Sequence, residues 1–305
     1  MRFVAIGLLA GLVSLSSVVW AAPDLNESYT ALKDAVEKKD VAKVKALSAQ
    51  SAKEAKELAG EAQPADASQV EAWKGRQQFA KDAGTYAEYA LAISAIQATD
   101  PAVTIDLVDT LIAQNPKSEE IDSAAPYYLA ALGKQGAAKV VAGANKIVAG
   151  RPDNEDALYA IASNSLSSNP GAALTAANKL VAAVGRNKKP ENTSEADWDK
   201  KKNSMLGAGY TFAGVVNASQ NKYADADRNL KAALPLIAGN NAMLSYAYYY
   251  LGLANYQMGK LTGDKSKMQT GVQYTDKAVA TPGPMQGQAS NNSAIMKREM
   301  GTPGR

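Results

Sequence analysis

An all-α fold, an α-solenoid of stacked antiparallel helix pairs, is predicted by three observations. Tyr210, Gly214 and Asn217 recur 38 positions later as Tyr248, Gly252 and Asn255. The run Ala144-Asn145-Lys146-Ile147-Val148-Ala149 returns 33 positions on as Ala177-Asn178-Lys179-Leu180-Val181-Ala182, and Leu111-Ile112-Ala113 lies 36 positions before Ile147-Val148-Ala149. Alanine is abundant and β-branched runs are few, which favours helix over strand. Self-similarity at periods of about 20–50 residues is the mark of stacked repeats. Such stacks build extended surfaces that hold a partner more often than pockets for chemistry.

The first residues stand apart from this pattern. Met1 and Arg2 precede an uncharged apolar run over residues 3–19, and Val19-Trp20-Ala21 offers small residues where a signal peptidase reads. This is the pattern of a secretory signal peptide over residues 1–21. Left uncleaved, the same run would be a membrane anchor. Cleavage removes Arg2 and lowers the net charge from +3 to +2. No later segment approaches the ~20 apolar residues that span a bilayer. The chain has no cysteine, so it has neither disulfides nor a lipid-modified cysteine, and helix packing alone must stabilise an exported protein. The expected location is periplasmic or secreted.

The elements follow in order. Residues 22–62 read as a helical hairpin. Leu25, Tyr29, Leu32 and Val36 make one apolar face, and Asp40 is the N-cap of a second helix carrying Val41, Val44 and Leu47. Residues 60–64 end the hairpin. Residues 63–184 read as degenerate helix pairs. A helix runs from near Ser68 past Trp73 to about Thr99, with a break at Gly84, and Asp100-Pro101 turns the chain. Helices over 103–114, around 127–129, over 139–149, over 156–166 and up to 184 follow, parted by Asn115-Pro116, Arg151-Pro152 and Asn169-Pro170-Gly171. Residues 185–197 are a polar insertion. Ser194 with Asp197 is a variant of the capping box, opening a helix from near Trp198 to Ala218. Two repeats fill residues 198–282. Residues 283–305 hold a final capping helix and tail behind Pro282-Gly283-Pro284.

The stretch Tyr248-Tyr249-Tyr250-Leu251-Gly252-Leu253-Ala254-Asn255-Tyr256-Gln257-Met258-Gly259-Lys260 resembles the first helix and turn of a tetratricopeptide repeat (TPR), with a second helix over 268–280 and about seven extra residues between them. The preceding repeat matches through Tyr210 and Gly214, the turn Asn221-Lys222-Tyr223, and Ala226, Leu230 and Ala233. The resemblance is strongest over residues 198–282. It implies a TPR-like α-solenoid whose first helices line a groove. Mapped onto the last repeat, the partner-binding positions are Tyr246, Tyr249, Leu253 and Tyr256. Aromatic residues there suit peptide binding, because they offer large contact area at low entropic cost. The same tyrosines also suit packing between repeats. The carboxylate clamp of some family members is not supplied by Thr211, Val215 and Tyr250. Physical chemistry supports the same architecture. Gly207, Gly209 and Gly214 within one helix each cost about 1 kcal/mol of propensity, so close approach of neighbouring helices is expected to offset them.

The chemistry absent from the sequence narrows the function. With no histidine and no cysteine, Ser-His-Asp and Cys-His catalysis, the usual zinc sites and haem or iron–sulfur ligation are excluded. No phosphate-binding loop or GxGxxG is present. Glu119-Glu120 and Glu155-Asp156 lie at predicted helix starts, where the macrodipole accounts for acidic residues. Gly263-Asp264-Lys265 and residues 152–155 lack the alternating oxygen ligands of a calcium loop. No cofactor and no metal are expected. The small net charge gives no reason to expect nucleic acid. The expectation is therefore an exported scaffold or adaptor of the cell envelope, not an enzyme, that contacts a protein or peptide partner. Self-association is a further possibility. The alternative is an envelope glycan-binding protein or a carboxylate-dependent hydrolase on the same solenoid.

Overall fold

The computed structural model describes residues 25–189 and 193–301; the predicted signal peptide lies outside them. Thirteen α-helices and no strand occur among the described residues. Two compact units divide between Ala124 and Ala125.

The N-terminal unit contains α1 (Leu25–Glu37), α2 (Val41–Ala59), α3 (Val70–Gln97), α4 (Pro101–Gln114) and the start of α5 (Glu120–Gly133). From α1 to α4 each helix packs on the next, and α1 also meets α3 as α2 meets α4. Asp40 caps α2 by accepting from the Lys43 N–H, and Asp100 caps α4 by accepting from Ala102, with Pro101 at its first turn. Such caps satisfy donors that the first helical turn leaves unpaired. Leu25, Ala55, Leu58, Ala80 and Ala83 form a buried core against which Tyr29 and Phe79 pack. The expected break at Gly84 is absent, and α3 runs unbroken for 28 residues. A lone glycine lowers helix stability by about 1 kcal/mol, which the tertiary contacts of a long helix outweigh.

The C-terminal unit continues α5 and adds α6 (Ala137–Gly150), α7 (Glu155–Asn164), α8 (Pro170–Arg186), α9 (Glu195–Ser219), α10 (Tyr223–Ala233), α11 (Asn241–Thr262), α12 (Lys265–Ala280) and α13 (Gln286–Gly301). From α6 onward each helix packs on its successor, while α7 meets α9, α9 meets α11, and α11 meets α13. Contact with the next helix and the next but one is the packing of a helical-repeat solenoid. The sequence recurrence has a direct counterpart in burial. In α6 the buried positions are Val140, Gly143, Ala144 and Ile147; in α8 Ala173, Ala176, Ala177 and Leu180, each 33 residues on, are buried together with Ala183 and Val184. The buried set of α4, Thr104, Leu107, Val108 and Leu111, lies 36 residues before that of α6. Burying each Leu or Ile of these rows contributes roughly 1.5–3 kcal/mol.

The α9 glycines do face neighbours. A Cβ on Gly209 would lie 2.7 Å from Val181 of α8, one on Gly207 would lie 2.6 Å from Ile237, and one on Gly214 would overlap Leu230 of α10. Ser194 caps α9 through the Asp197 N–H, as its spacing predicts. The last repeat differs from expectation. The extra residues near 262–268 do not form a loop. They lengthen α11 to Thr262 and start α12 at Lys265, leaving only Gly263 in the left-handed region (φ 70°) and the N-cap Asp264 between the helices.

Candidate functional site

Helix α11 carries every site residue that the sequence singles out. Asn240 opens it by accepting from the Met243 N–H, and Gly263 closes it. One side buries Ala247, Leu251 and Ala254 in a core shared with Ala226, Leu230 and Ile237. Another side meets α12 so closely that a Cβ on Gly271 would stand 2.6 Å from the Tyr256 backbone nitrogen. The remaining face bears Tyr246, Tyr249 and Leu253, all partly exposed, and Tyr250 at its edge is partly exposed but also packs against the core. Tyr246, Tyr250 and Leu253 follow the i, i+4, i+7 spacing of one helix stripe.

The phenols of this face stand close together. The rings of Tyr249 and Tyr250 meet edge to face with centroids 5.0 Å apart, a favoured aromatic geometry. Burial, and then the neighbouring Tyr249 and Tyr246, pushes the Tyr250 hydroxyl above its ordinary pKa. Asn292 of α13 donates to the Tyr249 hydroxyl at 2.9 Å. Tyr250 is absent from the set predicted by mapping repeat positions. Its i+4 relation to Tyr246 is the signal that could have found it.

Tyr256 is in different surroundings. It is only 3% exposed, and its hydroxyl lies 2.9 Å from Glu299 Oε2 and 3.3 Å from the Met296 carbonyl, both on α13. Burial, reinforced by the hydrogen bond with Glu299 and its charge, raises its pKa to about 12. Lys260 Nζ pairs with the same carboxylate at 3.0 Å. The structure therefore brings three of the four predicted residues together on a partly open face and seats the fourth beneath α13.

The equivalent face of the preceding repeat is closed. The 38-residue offset maps Tyr246, Tyr249, Leu253 and Tyr256 onto Ala208, Thr211, Val215 and Ala218 of α9, and all four are buried. Phe212, the counterpart of Tyr250, packs against Tyr159 of α7 with centroids 5.5 Å apart. Small residues let α9 sit close among its neighbours, whereas Tyr246, Tyr249 and Leu253 of α11 remain partly exposed.

Several of the acidic candidates have structural partners. Glu155 is buried, accepts from Asn187 Nδ2 at 2.8 Å and lies 3.7 Å from Lys201 Nζ. Asp153 pairs with Arg186 at 2.6 Å, and Asp264 caps α12 by accepting from Lys267. Glu120 has a raised pKa because burial, then Glu88 and Glu119, disfavour its charge. Among the described residues no group of three or more acidic side chains is placed to hold a metal ion. Nor is any described helix long and apolar enough to cross a membrane.

No protein-family model matches the chain, and no curated protein or solved structure matches it.

Proposed function

We propose that this chain is an exported TPR-like scaffold that holds a peptide segment of a protein partner in the cell envelope. The observation that carries the reading is the aromatic face of α11. Tyr246, Tyr249, Tyr250 and Leu253 stay partly exposed there, while the corresponding positions of α9 are buried. Partly exposed aromatics on a rigid helix offer large contact area with little side-chain entropy to lose. A stripe at i, i+4 and i+7 suits a short apolar segment laid along or across the helix. The TPR-like assignment draws on the motif at 248–260 and on the packing of successive helices within each unit, with α7, α9, α11 and α13 also meeting in turn. Export draws on the apolar run at residues 3–19 and the small residues before Ala22.

The test is a crosslinked pull-down from the native envelope fraction, comparing the tagged protein with a Tyr246→Ala/Leu253→Ala variant of equal helicity. Tyr256 is left unchanged because its loss would disturb the seat of α13. A protein captured by the wild type and lost by the variant supports the reading. A partner retained by both moves the site off α11. No protein captured by either defeats the adaptor reading and turns attention to glycans or self-association.

A further inference from the structure

The N-terminal unit carries a groove far in sequence from the tyrosine face and independent of it. This open groove of about 340 Å³ lies between α2, α3 and the end of α4, and Lys56, Lys81 and Thr85 of its lining are exposed. Its apolar lining is made of small residues, with Ala55 of α2 and Ala80 and Gly84 of α3 among its members. Its polar lining comprises Lys56, Lys81, Thr85, Glu88, Gln114 and Asn115.

Gly84 is the informative residue. It lies inside an unbroken helix, where glycine is less stable than alanine. Packing does not require it: a Cβ there would meet only the Ala55 methyl at 3.7 Å, an ordinary contact. The glycines at helix crossings are different, since a Cβ on Gly209, Gly259 or Gly271 would come within 3.0 Å of a neighbouring atom. What the missing methyl at Gly84 provides is space in the groove.

The polar groups describe what fills that space. Lys56 and Lys81 form no ion pair among the described residues, although nearby Lys53 and Lys45 pair with Glu57 and Asp106. Glu88 is already engaged through both oxygens, accepting from Asn115 Nδ2 at 2.8 Å and Ser118 Oγ at 2.6 Å. Gln114 Oε1 faces the Ser48 hydroxyl at 3.4 Å, which leaves its amide N–H groups as donors. Two lysines against one glutamate leave a single positive charge, matching a monoanion better than a phosphate dianion. The alanine lining suits a short aliphatic body, and the volume is at the small end of ligand pockets, about 300–1,000 Å³.

We propose that this groove binds a short-chain organic monocarboxylate, its carboxylate between Lys56 and Lys81 and its aliphatic part against Ala55, Ala80 and Gly84. The test is an amide-resolved NMR titration of the full chain with butyrate, with butyramide as the uncharged isostere and inorganic phosphate as the competing anion. Butyrate is expected to shift the amides of residues 52–59, 80–88 and 114–115 saturably, and butyramide is not. Lys56→Gln/Lys81→Gln should weaken binding roughly tenfold or more, as for loss of charge-assisted hydrogen bonds. Gly84→Ala should abolish binding while Tm holds or rises, an outcome that separates a filled site from a damaged fold. An absent or non-saturable response overturns the proposal. So does an equal response to butyramide, tighter binding of phosphate, or wild-type affinity in Gly84→Ala.

Discussion

At Gly271 a methyl group would decide whether two helices can touch. Its Cβ would stand 2.6 Å from the Tyr256 nitrogen and 2.8 Å from the Tyr256 Cα, backbone atoms that cannot rotate away. Alanine gains about 1 kcal/mol of helix propensity, but forcing α11 from α12 costs roughly 1–3 kcal/mol or more. Gly271→Ala is expected to destabilise by about 2 kcal/mol in a denaturant titration, whereas Gly84→Ala is not. Glu120 supplies a prediction of opposite sign. Burial and its acidic neighbours raise its folded pKa. A raised carboxyl favours the fold at pH below its unfolded pKa, and that favour is lost as pH rises through the folded value. Glu120→Gln should therefore raise Tm at pH 7, and the gain should vanish once the pH falls below the ordinary glutamate range. A gain that persists in acid would point to packing instead of charge.

At the scale of the element, α13 is held largely by polar contacts. It buries only Ala289, Ser293 and Met296. Against these stand Glu299 with Tyr256 and Lys260, Asn292 with Tyr249, and Asp276 of α12 with Ser293 at 2.6 Å and Lys297 at 2.8 Å. Hydrogen bonds from Lys260 and Tyr256 hold Glu299 below its usual pKa. For Asp276 burial works upward, but Lys297 and Ser293 prevail and lower it. Carboxyls lowered by folding stabilise above their unfolded pKa, and that contribution is lost as pH falls through the folded values. Hydrogen exchange corrected for intrinsic rates should show residues 286–301 losing protection in acid before α11 does. Tyr256→Phe should loosen the same helix at neutral pH by about 1 kcal/mol, the worth of a typical hydrogen bond. Unchanged protection of α13 in both experiments would assign its docking to the apolar contacts alone.

Across the whole molecule, contacts run between helices close in sequence. Stability in such chains is nearly a sum of local and nearest-neighbour terms, and cooperative units open separately. Gly271→Ala should therefore lower exchange protection in α11, α12 and α13 and leave α1 to α4 as in the wild type. Loss spread evenly over the chain would mean a single cooperative fold. The same locality explains what could be read in advance. Asp40 and Ser194 are caps because a side-chain oxygen reaches an N–H three residues on, a relation contained in a few positions. The buried rows of α6 and α8 recur because each repeat solves the same packing problem with the same spacing. Tyr246, Tyr249 and Leu253 share a face because 3.6 residues make a turn. Three other features were not legible. The fate of Tyr256 depends on Glu299, 43 positions away. The extra residues expected between the helices at 262–268 are absorbed into longer helices by Gly263 and Asp264. Gly84 reads in sequence as a helix breaker, and only its neighbours reveal it as part of a groove lining. By itself, then, the sequence determined the helices, their caps, their repeat and the residues sharing each face, because those follow from short-range periodicity. The tertiary structure alone decided which faces are covered, which tyrosines stay exposed and where a groove opens, because these depend on which distant helix fills the space beside a side chain.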